Sequence, residues 1–497
     1  MARKNFLSYF LVSMLLAFQS GCSSSESSQT DRPTLESVFQ RIDEDVLAHS
    51  RGYETLRDAI DSIGHRLTGS ENGKKAEDFA YQLFKEYGFE DVAYFPFEVE
   101  AWSRVSATLW VKERPEDEGY LDVPTVSLAH SPVEVALEAE VFDVGNGLRK
   151  NFEAVKDSVK DKVVVVNLRL DGSDSTAKNL HRTEKTALAI EYGAAGVIFV
   201  NAVDGNVLLT GAASVTGSLI PIPAICVGKE DGADLRAAMA ENPVSVKIDL
   251  KNKSEQIRAR NVIATIKGSE LPNERVIIGG HLDSWDLATG AIDNGIGAFS
   301  IIDMARVFKQ LDLRPRRTVQ FVMFMGEEQG LLGSTAWVDQ MKKENTINEV
   351  KYMLNMDMSG NPIGFSLTGR DEVESWVLGV GEKIMAIDTI FKNKIRKGAG
   401  LHSDHQPFML EGIPIMSVVS NIDRSVYRFY HSNGDDFKLV NKSDMVNSAR
   451  FMSMMLYALA DAETIPAKRF SSEETRDFLI KHDLKEKLVL HNDWRWD

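Results

Sequence analysis

The stretch RVIIGGHLDSWD, residues 275–286, joins an apolar run to polar residues and decides the fold prediction. Its first half is a short apolar run of the kind that forms a fully buried strand. A second run, TVQFVMFMGEEQG at residues 318–330, also ends in polar residues, and residues 297–311 between the two carry apolar side chains at helical spacing. Strand, helix and strand in this order predict parallel strands connected by a helix.

The same alternation continues on both sides of this unit. Further strands are predicted at residues 92–111, 261–266, 352–356 and 413–419, and further helices at residues 56–63, 74–87 and 447–460. The sequence therefore predicts an α/β fold, a doubly wound, mostly parallel mixed sheet with helices on both faces. Its first part is expected at residues 34–121 and its second part at residues 255–465, followed by a charged C-terminal tail, 466–497, that forms an appended helix or a loose end.

Residues 122–254 have a different sequence pattern, in which short Val/Ile-rich runs alternate with glycine-rich turns. The order KDKVVVV (160–166), ALAIEYGAAGVIFVN (187–201) and IPAICV (222–227) resembles a protease-associated domain. This resemblance implies a β-rich insert within the larger fold. Cys226 lies in the last of these runs, where burial as a small hydrophobic side chain is the expected role.

The N-terminal residues are predicted to be an export signal. Arg3 and Lys4 precede an apolar run at residues 6–18, and Cys22 follows small residues and precedes serines. Residues 1–22 resemble a bacterial lipoprotein signal and lipobox, although Gln19 departs from the usual aliphatic residue, and an ordinary cleaved signal is the alternative. Residues 23–33 are then a flexible tether. The protein is expected to be exported and lipid-anchored through Cys22 in the bacterial cell envelope, with the outer membrane favoured.

The composition excludes some functions. The chain has 57 Lys and Arg against 73 Asp and Glu, a net charge of −16, and an acidic surface repels the phosphates of nucleic acids. Two cysteines in 497 residues cannot form a disulfide framework. No nucleic-acid partner is expected, and the membrane is contacted only through the lipid.

Residues capable of binding metal follow successive predicted strands. In open α/β sheets, ligands bind at the carboxyl ends of the strands, so separate segments can converge there. Each signal also has a local alternative: Asp293 could cap a helix, the Glu pair could begin a solvated helix, and His431 could be a surface imidazole. The candidate residues, in chain order, are His281, Asp283, Asp293, Glu327, Glu328, Asp357 and His431.

The order of these residues resembles the M28 family of zinc peptidases. The motifs are HRLTGSENGKKAEDFA (65–80), GGHLDSWD (279–286), GAIDNGIGAF (290–299), LRPRRTVQFVMFMGEEQGLLGS (313–334) and YHSNGDD (430–436). The resemblance implies two zinc ions per chain bound by His281, Asp293, Glu328, Asp357 and His431, with Asp293 bridging. It also implies Glu327 as the general base, Asp283 as the residue that orients His281, and either an oxyanion-stabilising or a structural role for Tyr430.

This resemblance implies hydrolysis of short peptides by a metal-activated water. The likeness is strongest to the carboxypeptidase members of the family, which favours a dipeptidase or carboxypeptidase. The stretch HSDHQPF (402–408) resembles aminopeptidase members instead, and there a structural role for Asp404 and His405 is favoured. N-terminal trimming therefore remains the main alternative. A glutaminyl-cyclase-like acyltransferase and a non-catalytic binding module are more remote, and a homodimer is neither supported nor excluded.

Overall fold

The computed structural model describes residues 32–172 and 176–496. The predicted signal and Cys22, with most of the tether, lie outside the described residues. All elements given below belong to one compact unit, Leu35–Asp497. Within the described part of the chain, no helix combines the length and the apolar character needed to cross a bilayer.

The helices and strands are numbered in chain order. The α-helices among the described residues are α1 (Leu35–His49), α2 (Gly52–Ile63), α3 (Glu71–Glu86), α4 (Arg149–Val159), α5 (Arg182–Glu191), α6 (Lys229–Glu241), α7 (Ile296–Gln310), α8 (Leu332–Lys343), α9 (Glu374–Ile387), α10 (His405–Leu410), α11 (Lys442–Asp461), α12 (Ser472–Lys481) and α13 (Lys485–Leu490). The strands are β1 (Val92–Lys112), β2 (Leu121–Val123), β3 (Thr125–Ser127), β4 (Glu134–Gly145), β5 (Val163–Asn167), β6 (Gly196–Val200), β7 (Ala224–Val227), β8 (Ser245–Ile266), β9 (Leu271–His281), β10 (Arg317–Phe324), β11 (Val350–Asn355), β12 (Pro362–Ser366), β13 (Lys394–Arg396) and β14 (Ile415–Ser420).

The sheet has a mixed order, and its central strands are parallel. The order is β13-β12-β14-β11-β9-β10-β8-β4-β5-β6-β7-β3, with β1 pairing β2 and β8. Strands β10, β9, β11 and β14 run parallel to one another, whereas β8 is antiparallel to β10 and β12 is antiparallel to β14. This arrangement confirms the predicted mostly parallel mixed sheet.

Helices cover both faces of this sheet. Successive apolar side chains of each strand point to opposite faces, so both faces must be buried. On β9, Val276 and Ile278 enter a core shared with α7 and α11, while Ile277 enters a second core on the other face. The second core also receives Leu479 of α12 and Leu488 of α13, both fully buried. Burying such side chains stabilises the fold by roughly 1.5–3 kcal/mol each. The C-terminal tail therefore forms two packed helices. This agrees with the predicted appended helix rather than with a loose end.

The strands of the insert continue the sheet from β8 through β4, β5, β6, β7 and β3, and their apolar side chains fill two cores. Strand β5 sends Val164 and Val166 into one core and Val163 and Val165 into the other. Cys226 on β7 is fully buried, and burial raises the pKa of its thiol to about 12. This agrees with the predicted packing role, because an inert thiol stays protonated at neutral pH.

Two long strands run through both the insert and the larger fold. Strands β1 and β8 pair antiparallel from Val92↔Ala264 to Lys112↔Ser245, with one bulge near Arg104. The boundary predicted between residues 254 and 255 therefore falls inside β8 rather than in a linker. The sequence hid this continuity because polar residues such as those at 251–256 occupy a stretch of β8 whose side chains are partly exposed.

Candidate metal centre

The candidate residues leave neighbouring parallel strands at the same edge of the sheet. His281 ends β9, Glu327 and Glu328 follow β10, and Asp357 follows β11. Because β9 lies between β10 and β11, the carboxyl ends of all three meet there. Asp293 and His431 reach the same point from turns outside the sheet, so the structure brings the whole set together.

Asp293 lies at the centre of this cluster. Its Oδ1 is 3.3 Å from His281 Nε2, and its Oδ2 is 3.0 Å from His431 Nε2. It belongs to a tight turn, Ala291–Gly295, where its backbone is not helical, and its peptide bond to Asn294 is cis. The N-cap of α7 is Gly295 with no side-chain hydrogen bond to it, so Asp293 does not cap this helix. The two oxygens of Asp293 face two different imidazoles, as a bridging carboxylate requires.

Each imidazole also faces a second carboxylate. Asp357 Oδ1 lies 3.5 Å from His281 Nε2, and Glu328 Oε2 lies 2.9 Å from His431 Nε2. Glu328 and His431 are each 5% exposed, which excludes the solvated helix start and the surface imidazole. The ligand atoms thus form two groups that share Asp293.

Burial of this many carboxylates requires positive charge nearby. Burial and the neighbouring Asp293 raise the pKa of Glu328 to about 7, although His431 opposes the shift. Burial would lower the pKa of His281, but Glu327 and the other acidic groups hold it well above its usual range. Glu328 Oε1 has no hydrogen-bond partner among the described residues. These residues fit bound divalent cations, since imidazole nitrogen and carboxylate oxygen are the ligands of catalytic zinc.

The contact between His281 and Asp283 differs from the prediction in detail. His281 Nδ1 lies 3.1 Å from the main-chain oxygen of Asp283, while the carboxylate oxygen Oδ1 is 3.6 Å away. The Asp283 carboxylate instead accepts a 3.0 Å hydrogen bond from the Thr68 hydroxyl. Asp283 thus touches the ring mainly through its backbone, and its side chain fixes the loop to the segment before α3.

Two buried charges that the sequence did not single out hold the loop between His281 and Asp293. The Asp435 carboxylate accepts hydrogen bonds from the N–H groups of Ile292, at 2.8 Å, and Asp293, at 3.0 Å. Arg66 donates to the carbonyl oxygens of Leu282, Thr289 and Gly290 at 2.6–2.8 Å. Arg66 and Asp435 lie in the motifs quoted above, at 65–80 and 430–436. Their place in these motifs was the feature of the sequence that could have identified them.

The insert also reaches the centre. Arg182 Nη2, at the start of α5, lies 2.9 Å from His431 Nδ1, and Thr210 N–H donates to His431 O at 2.9 Å. Glycine suits the neighbouring position 211, because its φ is +129° and a Cβ there would lie 1.9 Å from Arg182 Nη2. The insert therefore positions His431, which no local feature of its sequence indicated.

A cavity of about 790 Å³ lies over the cluster. Glu327, which is half-buried, and Tyr430 both line it, and the Tyr430 ring stacks on His431 with 3.7 Å between centroids. Burial and neighbouring carboxylates raise the pKa of Glu327 well above its usual range. Burial also raises the pKa of Tyr430, so its phenol stays protonated at neutral pH.

The stretch 402–408 lies beside the centre rather than in the ligand cluster. Asp404 is fully buried, and burial raises the pKa of its carboxyl to about 7. His405 begins α10, and its Nε2 lies 3.0 Å from Gly400 O. Next to them, Ser403 accepts a hydrogen bond from Asn355 at the end of β11. The structural role favoured for Asp404 and His405 stays a prediction.

Comparison with known proteins gives matches over both parts of the fold. Residues 261–456 match peptidase family M28, and residues 128–235 match the PA domain. Carboxypeptidase Q of Xenopus laevis is 28% identical over 422 residues, which are 84% of this chain and 87% of that protein. Leucine aminopeptidase 2 of Arthroderma otae is 28% identical over 300 residues, 60% of this chain and 55% of that protein.

The fold is also found among solved structures. A peptidase M28 precursor from Shewanella amazonensis superposes with a TM-score of 0.72 at 22% identity, covering 88% of this chain and 99% of the other. The two matched segments agree with the fold and with the order of the candidate residues. Residues 261–456 are thus similar to peptidase family M28, and the segment similar to the PA domain, residues 128–235, is inserted between strands of the same fold.

Proposed function

We propose that the protein is a two-zinc exopeptidase that hydrolyses short peptides as a dipeptidase or carboxypeptidase. The observation that carries this proposal is the buried ligand cluster around Asp293, which opens into the cavity. The relative named carboxypeptidase Q, which matches most of both chains, supports the direction of attack.

The proposed zinc ligands fall into two groups with one residue in common. His281 and Asp357 form one group, His431 and Glu328 the other, and Asp293 belongs to both. These residues would hold two zinc ions, which would supply Lewis-acid polarisation of the scissile carbonyl and a lowered pKa of water. Every proposed ligand offers nitrogen or carboxylate oxygen, which is typical of catalytic zinc sites.

Glu327 is the proposed general base. Its carboxylate lies in the same group of ligand atoms as His281 and Asp357, and it faces the cavity. A carboxylate in this position can accept a proton from the attacking water and pass that proton to the leaving amine. Tyr430 is the proposed donor to the developing oxyanion, because its protonated hydroxyl group belongs to a side chain in the cavity wall.

The shape of the cavity supports a short substrate. Its wall combines residues of the peptidase domain with Arg182 and Thr183 of the insert and Asn492 of the C-terminal segment. A site bounded by three separate parts of the chain suits the end of a peptide better than the middle of a folded protein. Removal of N-terminal residues is the second candidate, favoured by the likeness to leucine aminopeptidase 2.

A panel of dipeptides with free ends, blocked N-termini or amidated C-termini tests the direction of attack. With detergent-solubilised, zinc-loaded full-length protein, we expect cleavage of free and N-blocked dipeptides but not of amidated ones, and loss of cleavage on adding a chelator. Cleavage of amidated but not N-blocked peptides would make the enzyme an aminopeptidase. Chelator-resistant cleavage, or none at all, would contradict the proposal.

We also propose that the protein is exported and anchored by a lipid on Cys22. The sequence around Cys22 supports this, because small residues precede it directly after the apolar run. Cys22→Ser should move the protein from the membrane fraction to the soluble fraction after cell lysis, since the lipid would be its only membrane contact. Cys226→Ser is the matched control and should leave fractionation unchanged. Membrane retention of the Cys22 variant would contradict the anchor.

A further inference from the structure

A second cluster of metal-capable side chains shares no residue with the proposed catalytic centre. Glu184 lies in α5 of the insert, His402 lies before α10, and His491 directly follows α13. One ligand atom from each residue lies within 4.8 Å of the other two. Three parts of the chain that are far apart in sequence therefore meet at one point.

The distances fit metal ligation better than hydrogen bonding. Glu184 Oε1 lies 3.4 Å from His402 Nε2 and 3.6 Å from His491 Nε2. Hydrogen bonds between nitrogen and oxygen are usually about 2.7–3.2 Å long. Ligands that surround one zinc ion tetrahedrally at about 2.0–2.1 Å lie roughly 3.3–3.4 Å apart.

All three atoms are buried and lack hydrogen-bond partners among the described residues. The Glu184 side chain is completely buried, while His402 and His491 line the cavity over the catalytic centre. A buried carboxylate oxygen without a donor is costly unless a cation compensates it. An ion at this point would satisfy all three atoms together.

The surroundings hold Glu184 and His402 in place. The second carboxylate oxygen of Glu184 accepts a 2.6 Å hydrogen bond from His181 N–H at the start of α5. The His181 ring stacks on His402 with 4.8 Å between centroids. Such supporting contacts are typical of metal sites, where they fix the orientation of the ligands.

We propose that Glu184, His402 and His491 bind a further divalent cation of the zinc class, which fastens the insert and the C-terminal segment to the peptidase domain beside the cavity. Two imidazoles and one carboxylate favour zinc over magnesium or calcium, which prefer oxygen ligands. With three protein ligands, the ion keeps one position for water. The site does not depend on the catalytic proposal, because the two clusters have no common ligand.

The zinc content of the full-length protein, measured by mass spectrometry after saturation and removal of excess metal, tests this site. His402→Gln and His491→Gln should each bind one zinc ion fewer per chain than the wild type. His482→Gln is the matched control and should leave the zinc content unchanged, because His482 packs against Phe478 outside the cluster. Glu328→Ala should lose catalytic zinc and keep the further ion.

An anomalous difference map at the zinc edge of a wild-type crystal locates the ion without any variant that could misfold. We expect a peak about 2.0–2.2 Å from the three ligand atoms. The absence of a peak there, or an unchanged zinc content in both histidine variants, would overturn the site. A peak there without zinc around Asp293 would support this site and contradict the proposed catalytic function, so the two failures are distinguishable.

Discussion

Glu327→Gln is expected to lower kcat by about 10²–10⁴-fold, the usual contribution of a general acid or base. Glutamine keeps the shape of the side chain but cannot take a proton from water. Because Glu327 is not among the proposed zinc ligands, zinc content should stay at the wild-type value. Steady-state kinetics on a susceptible dipeptide, together with the zinc content of the same sample, measure both quantities.

Glu382→Gln on α9 is the control for this substitution, because Glu382 is exposed and far along the chain from the candidate residues. It should leave kcat unchanged. Turnover of Glu327→Gln close to the wild type would show that another group is the base. Loss of zinc together with loss of activity would instead make Glu327 a ligand.

Arg66→Met is expected to lower the free energy of unfolding by about 3 kcal/mol or more, since each buried acceptor left without a donor costs about 1–3 kcal/mol. Arg66 is fully buried and donates to three carbonyl groups of the loop between His281 and Asp293. Methionine fills similar space but donates nothing. Denaturant unfolding of the two proteins measures the difference.

The same substitution should also weaken zinc binding, because the loop it releases carries Asp293. Titration with a competing chelator measures that effect in the folded variant. Arg57→Met is the control, since Arg57 is exposed on α2 and should change stability by only about 0.5 kcal/mol. An Arg66→Met protein as stable as the wild type would refute the role of these hydrogen bonds.

The sheet and its central helices could be predicted because their apolar patterns are strong. The run RVIIGG predicted β9, and its alternating side chains fill two cores, as a strand covered on both faces requires. Strand β12, with the sequence PIGFS, was missed because proline and glycine are typical of turns. It is buried nonetheless, since tertiary packing overrides weak local propensity.

The convergence of the candidate ligands could also be predicted, because the ends of parallel strands meet. Arg66, Arg182 and Asp435 could not be found in this way. In the sequence they look like ordinary surface charges, and Arg182 meets His431 across 249 positions of the chain. The contacts of these side chains depend on how the loops fold, and the sequence pattern does not predict loop conformation.

The continuous pairing of β1 with β8 also sets the entropic cost of closing the chain. Their nearest paired ends, Lys112 and Ser245, are separated by the whole insert, so joining them directly would close a loop of roughly 130 residues at an entropic cost of about 4 kcal/mol. An insert that folds first brings these ends together in advance and acts as the turn of a very long hairpin. The insert thus closes the hairpin of β1 and β8 and also forms part of the cavity wall.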